Sequence, residues 1–160
     1  MIARLLRSVD FERVLRTRTR ASSAHFALHH VADRPSAPPK PAPRRLAAEL
    51  STDEKLQVIS AVDDSLPAAP PAAPTGVWLG AVVPKRHAKR SVTRSLLKRQ
   101  IRSAVMGFDS RLAGGLWVVR LRAPFDRKIF VSAASEVLKR AARDELEQLL
   151  ANAAQRVAGR

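Results

Sequence analysis

The chain reads as a small α/β (α+β) two-layer sandwich, in the order helix, strand, strand, basic helix, strand, helix, and three observations carry that reading. Short apolar runs at 76–83 (GVWLGAVV) and 116–122 (LWVVRLR) have the length of strands, and the first is apolar on both alternating faces, as a covered strand is. Apolar side chains recur at 3–4-residue spacing in two later stretches, marking helices that can lie on such a sheet. The first of those helices carries cations and no acid.

In chain order, Ser8 offers an N-cap hydroxyl to a short helix over 9–16, where Phe11, Val14 and Leu15 form one apolar face. Arg16, Arg18 and Arg20 follow it. Residues 25–31 (HFALHHV) form a strand whose alternation puts Phe26, Leu28 and His30 on one face and Ala27, His29 and Val31 on the other. Composition then changes. Residues 32–75 hold nine of the eleven prolines, and proline- and alanine-rich chain of this kind extends and buries little. A weak helix is expected inside it at 44–62. The domain plan is therefore one domain over 1–160, with a core of 4–31 and 76–153 and a flexible insertion at 32–75. Beyond the strand at 76–83, Pro84 ends the extended run and Ser91 is expected to cap a helix reaching about Met106. Gly107, Gly114 and Gly115 mark the turn into the strand at 116–122. Ser132 is expected to cap a last helix to about Ala153, with Leu138, Ala142, Leu146, Leu149 and Leu150 on its buried face.

The net charge is +15. The insertion holds six acids against five bases, so the positive field belongs to the folded remainder. It is densest in 84–102, PKRHAKRSVTRSLLKRQIR, which contains Lys85, Arg86, Lys89, Arg90, Arg94, Lys98, Arg99 and Arg102. Leu97, Ile101, Ala104 and Val105 give this helix an apolar stripe, and at about 100° per residue Arg94, Lys98 and Arg102 form a row beside it. A solvated surface helix mixes Glu with Lys at i, i+4 for support, and like charges at that spacing destabilise it. A helix with one buried face and an adjoining row of cations is built to meet a polyanion, nucleic acid first and an anionic membrane second.

Several classes are excluded. With no cysteine, disulfides and thiolate metal sites are impossible. No apolar run is long enough to span a bilayer. Neither a secretory signal nor a transit peptide is expected, because the first residues lack a continuous apolar run and include Asp10 and Glu12. The expected location is cytoplasmic. His25, His29, His30 and His87 fall in no metal-ligand spacing, no phosphate-binding glycine loop occurs, and the acids outside the insertion assemble no two-metal site. The protein reads as a binder without catalytic residues or a cofactor of its own.

At KRHAKRSVTRSLLKRQIR the chain resembles the protein subunit of bacterial ribonuclease P. That family carries a basic pair, a short spacer, then Arg-Asn-Arg-hydrophobic-Lys-Arg on a helix. Lys85 and Arg86 match the pair, and Arg94, Leu97, Lys98 and Arg99 match the helix. Ser95 and Leu96 stand where Asn and Arg are usual, and Arg102 offers a cation on the next turn. Phe11 and Leu15 resemble the family's opening helix, and 26–29 its first strand. The resemblance covers about 4–31 and 76–150, without the insertion.

It implies a ribosomal-protein-S5-domain-2-like fold. It also implies a role in an endonuclease that removes the 5′ leader of precursor tRNA, with hydrolysis by an RNA subunit using Mg²⁺. The basic-helix residues named above would bind the catalytic RNA. Phe11, Leu15, Phe26 and His29 would line or support a cleft for the single-stranded leader, as aromatics beside a basic groove do. Two readings compete: a basic ribosomal or structural RNA-binding protein with no part in cleavage, and a DNA-binding recognition helix. The second is weaker, because helix-turn-helix geometry needs a partner helix where a strand is expected.

Overall fold

The computed structural model describes residues 1–37 and 74–158. By internal contacts the chain divides into one unit of Met1–Ser36 with Ala73–Arg160 and another of Ala37–Ala72. The fold below is that of the first. Most of the insertion, including the weak helix expected at 44–62, lies outside the described residues.

The described elements run β1 (Ile2–Arg4), α1 (Ser8–Leu15), β2 (Ala21–Ser22), β3 (Phe26–Val31), β4 (Val77–Val82), α2 (Ser91–Gly107), β5 (Gly115–Leu121) and α3 (Glu136–Ala158), with a 3₁₀ turn at Asp109–Arg111. This is the expected mixed α/β architecture, a sheet of order β1-β4-β5-β3-β2 with three helices among the described residues. β4 runs parallel to both β1 and β5, while β3 runs antiparallel to β5 and β2. A parallel β4–β5 pair needs a crossover, and the basic helix α2 is that crossover. No helix among the described residues is long and apolar enough to cross a membrane.

Strand alternation sorts the core into two parts. Phe26, Leu28, Trp117, Val119 and Leu79 meet Leu97, Ile101, Leu138, Leu146 and Leu150 of α2 and α3. On the other face, Leu116 and Val118 meet Val14 of α1, with Phe11, Leu15, Trp78 and Val82 around them. Gly115 opens β5 at φ +129°, where an added Cβ would lie 2.3 Å from the Val31 carbonyl oxygen, so only glycine fits there.

Each expected serine cap is displaced. Ser8 and Ser91 are already helical; Arg7 and Arg90 hold the extended cap positions, and neither makes a side-chain cap bond. In α1, first-turn Asp10 is buried and accepts from Ser36, through the backbone N–H at 3.0 Å and the hydroxyl at 2.5 Å. Arg13 donates to Asp10, to Asp33 and to the Arg34 carbonyl. The first residues of the insertion are thus tied down on α1 rather than extended away from it. Ser135, not Ser132, caps α3, accepting the Leu138 N–H at 3.1 Å.

Candidate nucleic-acid interface

The apolar stripe of α2 is as expected, with Leu97, Ile101, Ala104 and Val105 buried, but Leu96 joins it at 7 % exposure. The position where the resembling family carries Arg is here part of the core, so Leu96 widens the buried face and lies off the cation row. Lys85, Arg86, Lys89, Arg90, Lys98, Arg99 and Arg102 are exposed. No ion pair among the described residues involves any of them. With no acid in its first turn, α2 also leaves the positive end of its dipole uncompensated.

Arg94 differs from its neighbours. It is half-buried, and its Nη1 donates to the carbonyls of Ala88 (3.0 Å) and Lys89 (2.7 Å). The side chain folds back along the helix and pins the turn at 84–88, which His87 and Ala88 close by donating to the Pro84 carbonyl. Lys98 and Arg102 reach the sheet edge. There β1 stops at Arg4, and Arg4, Lys98 and Arg102 share a hollow of about 230 Å³ with Phe11. Two sites read separately in the sequence therefore meet. Arg4 was missed, and nothing in its local sequence distinguishes it.

Phe11 lies on the sheet because β4 has a glycine beneath it: a Cβ on Gly80 would fall 2.4 Å from Phe11 Cε1. Leu15 packs nearby, half-buried. His29 faces the α1 side, 5 % exposed, with its Nδ1–H donating to the Thr17 carbonyl at 3.0 Å. That tautomer leaves Nε2 an acceptor, and Nε2 is buried with no partner. Burial, with a smaller push from Arg120, holds the His29 pKa below 6.5 against the Thr17 bond. Phe26 must be corrected. It is fully buried on the opposite face, in the α2–α3 core, and lines no cleft with Phe11. Its place one position before Ala27 put it on the wrong side of the pleat for α1.

Other polar groups serve the frame. Glu145 of α3 accepts from the Ser23 hydroxyl, the His25 N–H and the His25 ring, clamping the β2–β3 turn. Burial raises the Glu145 pKa, but those bonds outweigh it and hold it below 4.5. No group of three metal-ligating side chains gathers among the described residues.

The fold and its surface define a class: a small basic α/β protein whose crossover helix carries exposed cations outward on an apolar back. The chain matches the Ribonuclease P family profile over residues 2–155 and belongs to that family. It is 43 % identical over 89 residues to the "Ribonuclease P protein component" of Burkholderia pseudomallei (strain 1106a), covering 54 % of this chain and 65 % of that one. The protein of the same name from Paraburkholderia xenovorans (strain LB400) is 38 % identical over 89 residues, covering 54 % of this chain and 64 % of that one. The matched region thus spans just under two thirds of the length of these relatives. The RNase P protein from Staphylococcus aureus shares the fold, with a TM-score of 0.54 over 95 % of this chain and 89 % of that one at 16 % identity.

Proposed function

We propose that this chain is the protein component of ribonuclease P, binding the catalytic RNA and the 5′ leader of precursor tRNA while the RNA cuts. One observation carries the reading: in a chain of this family, α2 presents exposed cations that have no carboxylate partner among the described residues. Lys98, Arg99 and Arg102 contact phosphates of the catalytic RNA, joined by Lys85, Arg86, Lys89 and Arg90 on the preceding turn. Each contact releases counterions, so affinity falls with salt. The leader lies over α1 and the bare sheet edge, with a base against Phe11 and phosphates toward Arg4. Leu15 supports Phe11, and the His29 Nε2 acceptor is aligned with the same face.

The protein's chemical contribution is electrostatic. Catalytic RNA and precursor tRNA are both polyanions, and a +15 partner between them lowers the repulsion that Mg²⁺ must otherwise screen. Hydrolysis belongs to the RNA and its metal ions. The test adds full-length protein to ribonuclease P RNA and a leader-bearing tRNA at low Mg²⁺. Rescued cleavage is the expected result; binding without rescue favours the structural RNA-binding reading. Phe11→Ala should weaken binding of precursor more than mature tRNA, and equal loss for both would take Phe11 out of the leader path.

A further inference from the structure

A second basic hollow adjoins the RNA face proposed above and shares Arg86, Lys89 and Arg90 with it. A cleft of about 760 Å³ opens between the turn ahead of α2 and the loop joining β5 to α3. Arg86, Lys89 and Arg90 line one wall, Arg127 and Lys128 the other. Its one acid, Asp126, is turned into its own loop, where Oδ1 accepts the Lys128 backbone N–H at 2.8 Å. None of the five cations has an ion pair among the described residues.

The floor is aromatic. Phe125 is held by stacking on His25, with ring centres 4.0 Å apart, and Phe130 stands edge-on to it at 5.5 Å. Phe130 remains half-exposed to the cleft. The walls are bridged by Thr93, whose hydroxyl donates to the Ala133 carbonyl at 2.9 Å, and by a long Arg90 contact to the Val131 carbonyl.

A purely electrostatic grip needs no aromatic floor, and a packing gap needs no rim of cations. Together they suit an unpaired nucleotide, whose base stacks on the ring while its flanking phosphates meet the rim. A duplex keeps its bases stacked and paired and cannot offer one. We propose that this cleft takes an unpaired nucleotide of the catalytic RNA, with its base on Phe130 and its phosphates on Lys89, Arg127 and Lys128. The inference rests on α2 being the RNA face and adds a subsite to it. The source follows from continuity, since one wall runs directly into α2, whereas the Phe11 hollow lies toward the other end of that helix.

The test measures affinity against salt for full-length protein and in-vitro-transcribed ribonuclease P RNA. Phe130→Leu keeps the apolar bulk and removes the π-face. It should weaken binding about tenfold, as loss of one stacked base does, with the salt slope unchanged. Arg127→Ala and Lys128→Ala should each reduce the slope by about one. Ultraviolet crosslinking should join RNA to residues 125–130 in the unaltered protein. A melting curve accompanies each variant; if Phe130→Leu melts early, the charge variants and the crosslink decide. Unchanged slopes with no crosslink at 125–130 overturn the cleft. Arg99→Ala, run alongside, separates the two claims: an effect there alone removes only the cleft, and no effect in any variant removes α2 as the RNA face as well.

Discussion

The two ends of the basic segment are alike in composition, but among the described residues only the N-terminal end ties guanidiniums to backbone carbonyls. At the N-terminal end, Arg94 is bound to the Ala88 and Lys89 carbonyls, and Arg90 reaches the Val131 carbonyl. Those guanidiniums hold loops in place. At the C-terminal end, Lys98, Arg99 and Arg102 are exposed and have no ion pair among the described residues. The comparison teaches that a run of like charges can divide its work, with Arg94 shaping the surface and the exposed cations on either side of it supplying the field.

The largest test removes the field. Replacing Lys98, Arg99 and Arg102 together by Ala should lower the salt slope of RNA binding by about two to three, since each phosphate contact adds just under one. Stability should stay within about 0.5 kcal/mol of the unaltered protein, as for exposed substitutions that break no partner. If the triple variant binds with its slope intact, the C-terminal end is not the field source.

A second test strikes the hollow that this end shares with Phe11. Gly80→Ala places a methyl where the Phe11 ring sits, 2.4 Å from Cε1, and the ring must move. Overpacking of this kind costs about 1–3 kcal/mol. Discrimination between precursor and mature tRNA should fall while affinity for the catalytic RNA is kept. Retained discrimination with a displaced ring would place the leader elsewhere.

The third test addresses the shaping end. Arg94→Ala should lower stability by about 1 kcal/mol, because two carbonyls lose a charged donor on a half-exposed surface. Arg99→Ala should leave the urea midpoint unmoved. Equal midpoints for the two variants would erase the distinction between the ends.

What the sequence made legible was periodic. The stripe Leu97–Ile101–Ala104–Val105 and the alternation Phe26–Leu28–His30 follow from helix and strand repeats alone, and both are found. β1 and β2, three and two residues long, are too short to show alternation. The side of the pleat that α1 covers is a tertiary outcome, so Phe26 was placed with Phe11. Serine caps were misplaced because capping depends on φ and ψ, which a hydroxyl near a helix start does not fix. The resemblance implies a role for Arg94 and marks Leu96 as a departure, yet the fold-back of the one and the burial of the other depend on neighbours in space. Residues 125–130 do carry a signal, bases between two phenylalanines, but only the β4–α2–β5 connection brings them beside Arg86 and Lys89.

The smallest effect comes from pH, and it falls on the frame. His29 and His30 both have pKa values lowered by burial, against bonds to the Thr17 and Gly114 carbonyls and with help from Arg120 and Arg20. A lowered folded value means that the unfolded chain takes up protons first. The stabilisation is complete above about 6.5 and is lost as pH falls below it. Asp10 and Glu145 are lowered too: burial alone would raise them, but the Ser36, Ser23 and His25 bonds prevail. Their contribution is present above the unfolded values of 3.8 and 4.5 and fades on further acidification. Urea midpoints should therefore fall in two stages, the first through pH 6 and the second below pH 4.5, and His29→Gln should flatten the first. A midpoint that rises on acidification from pH 7.5 to 5.5 would overturn the assignment of the first stage to His29 and His30.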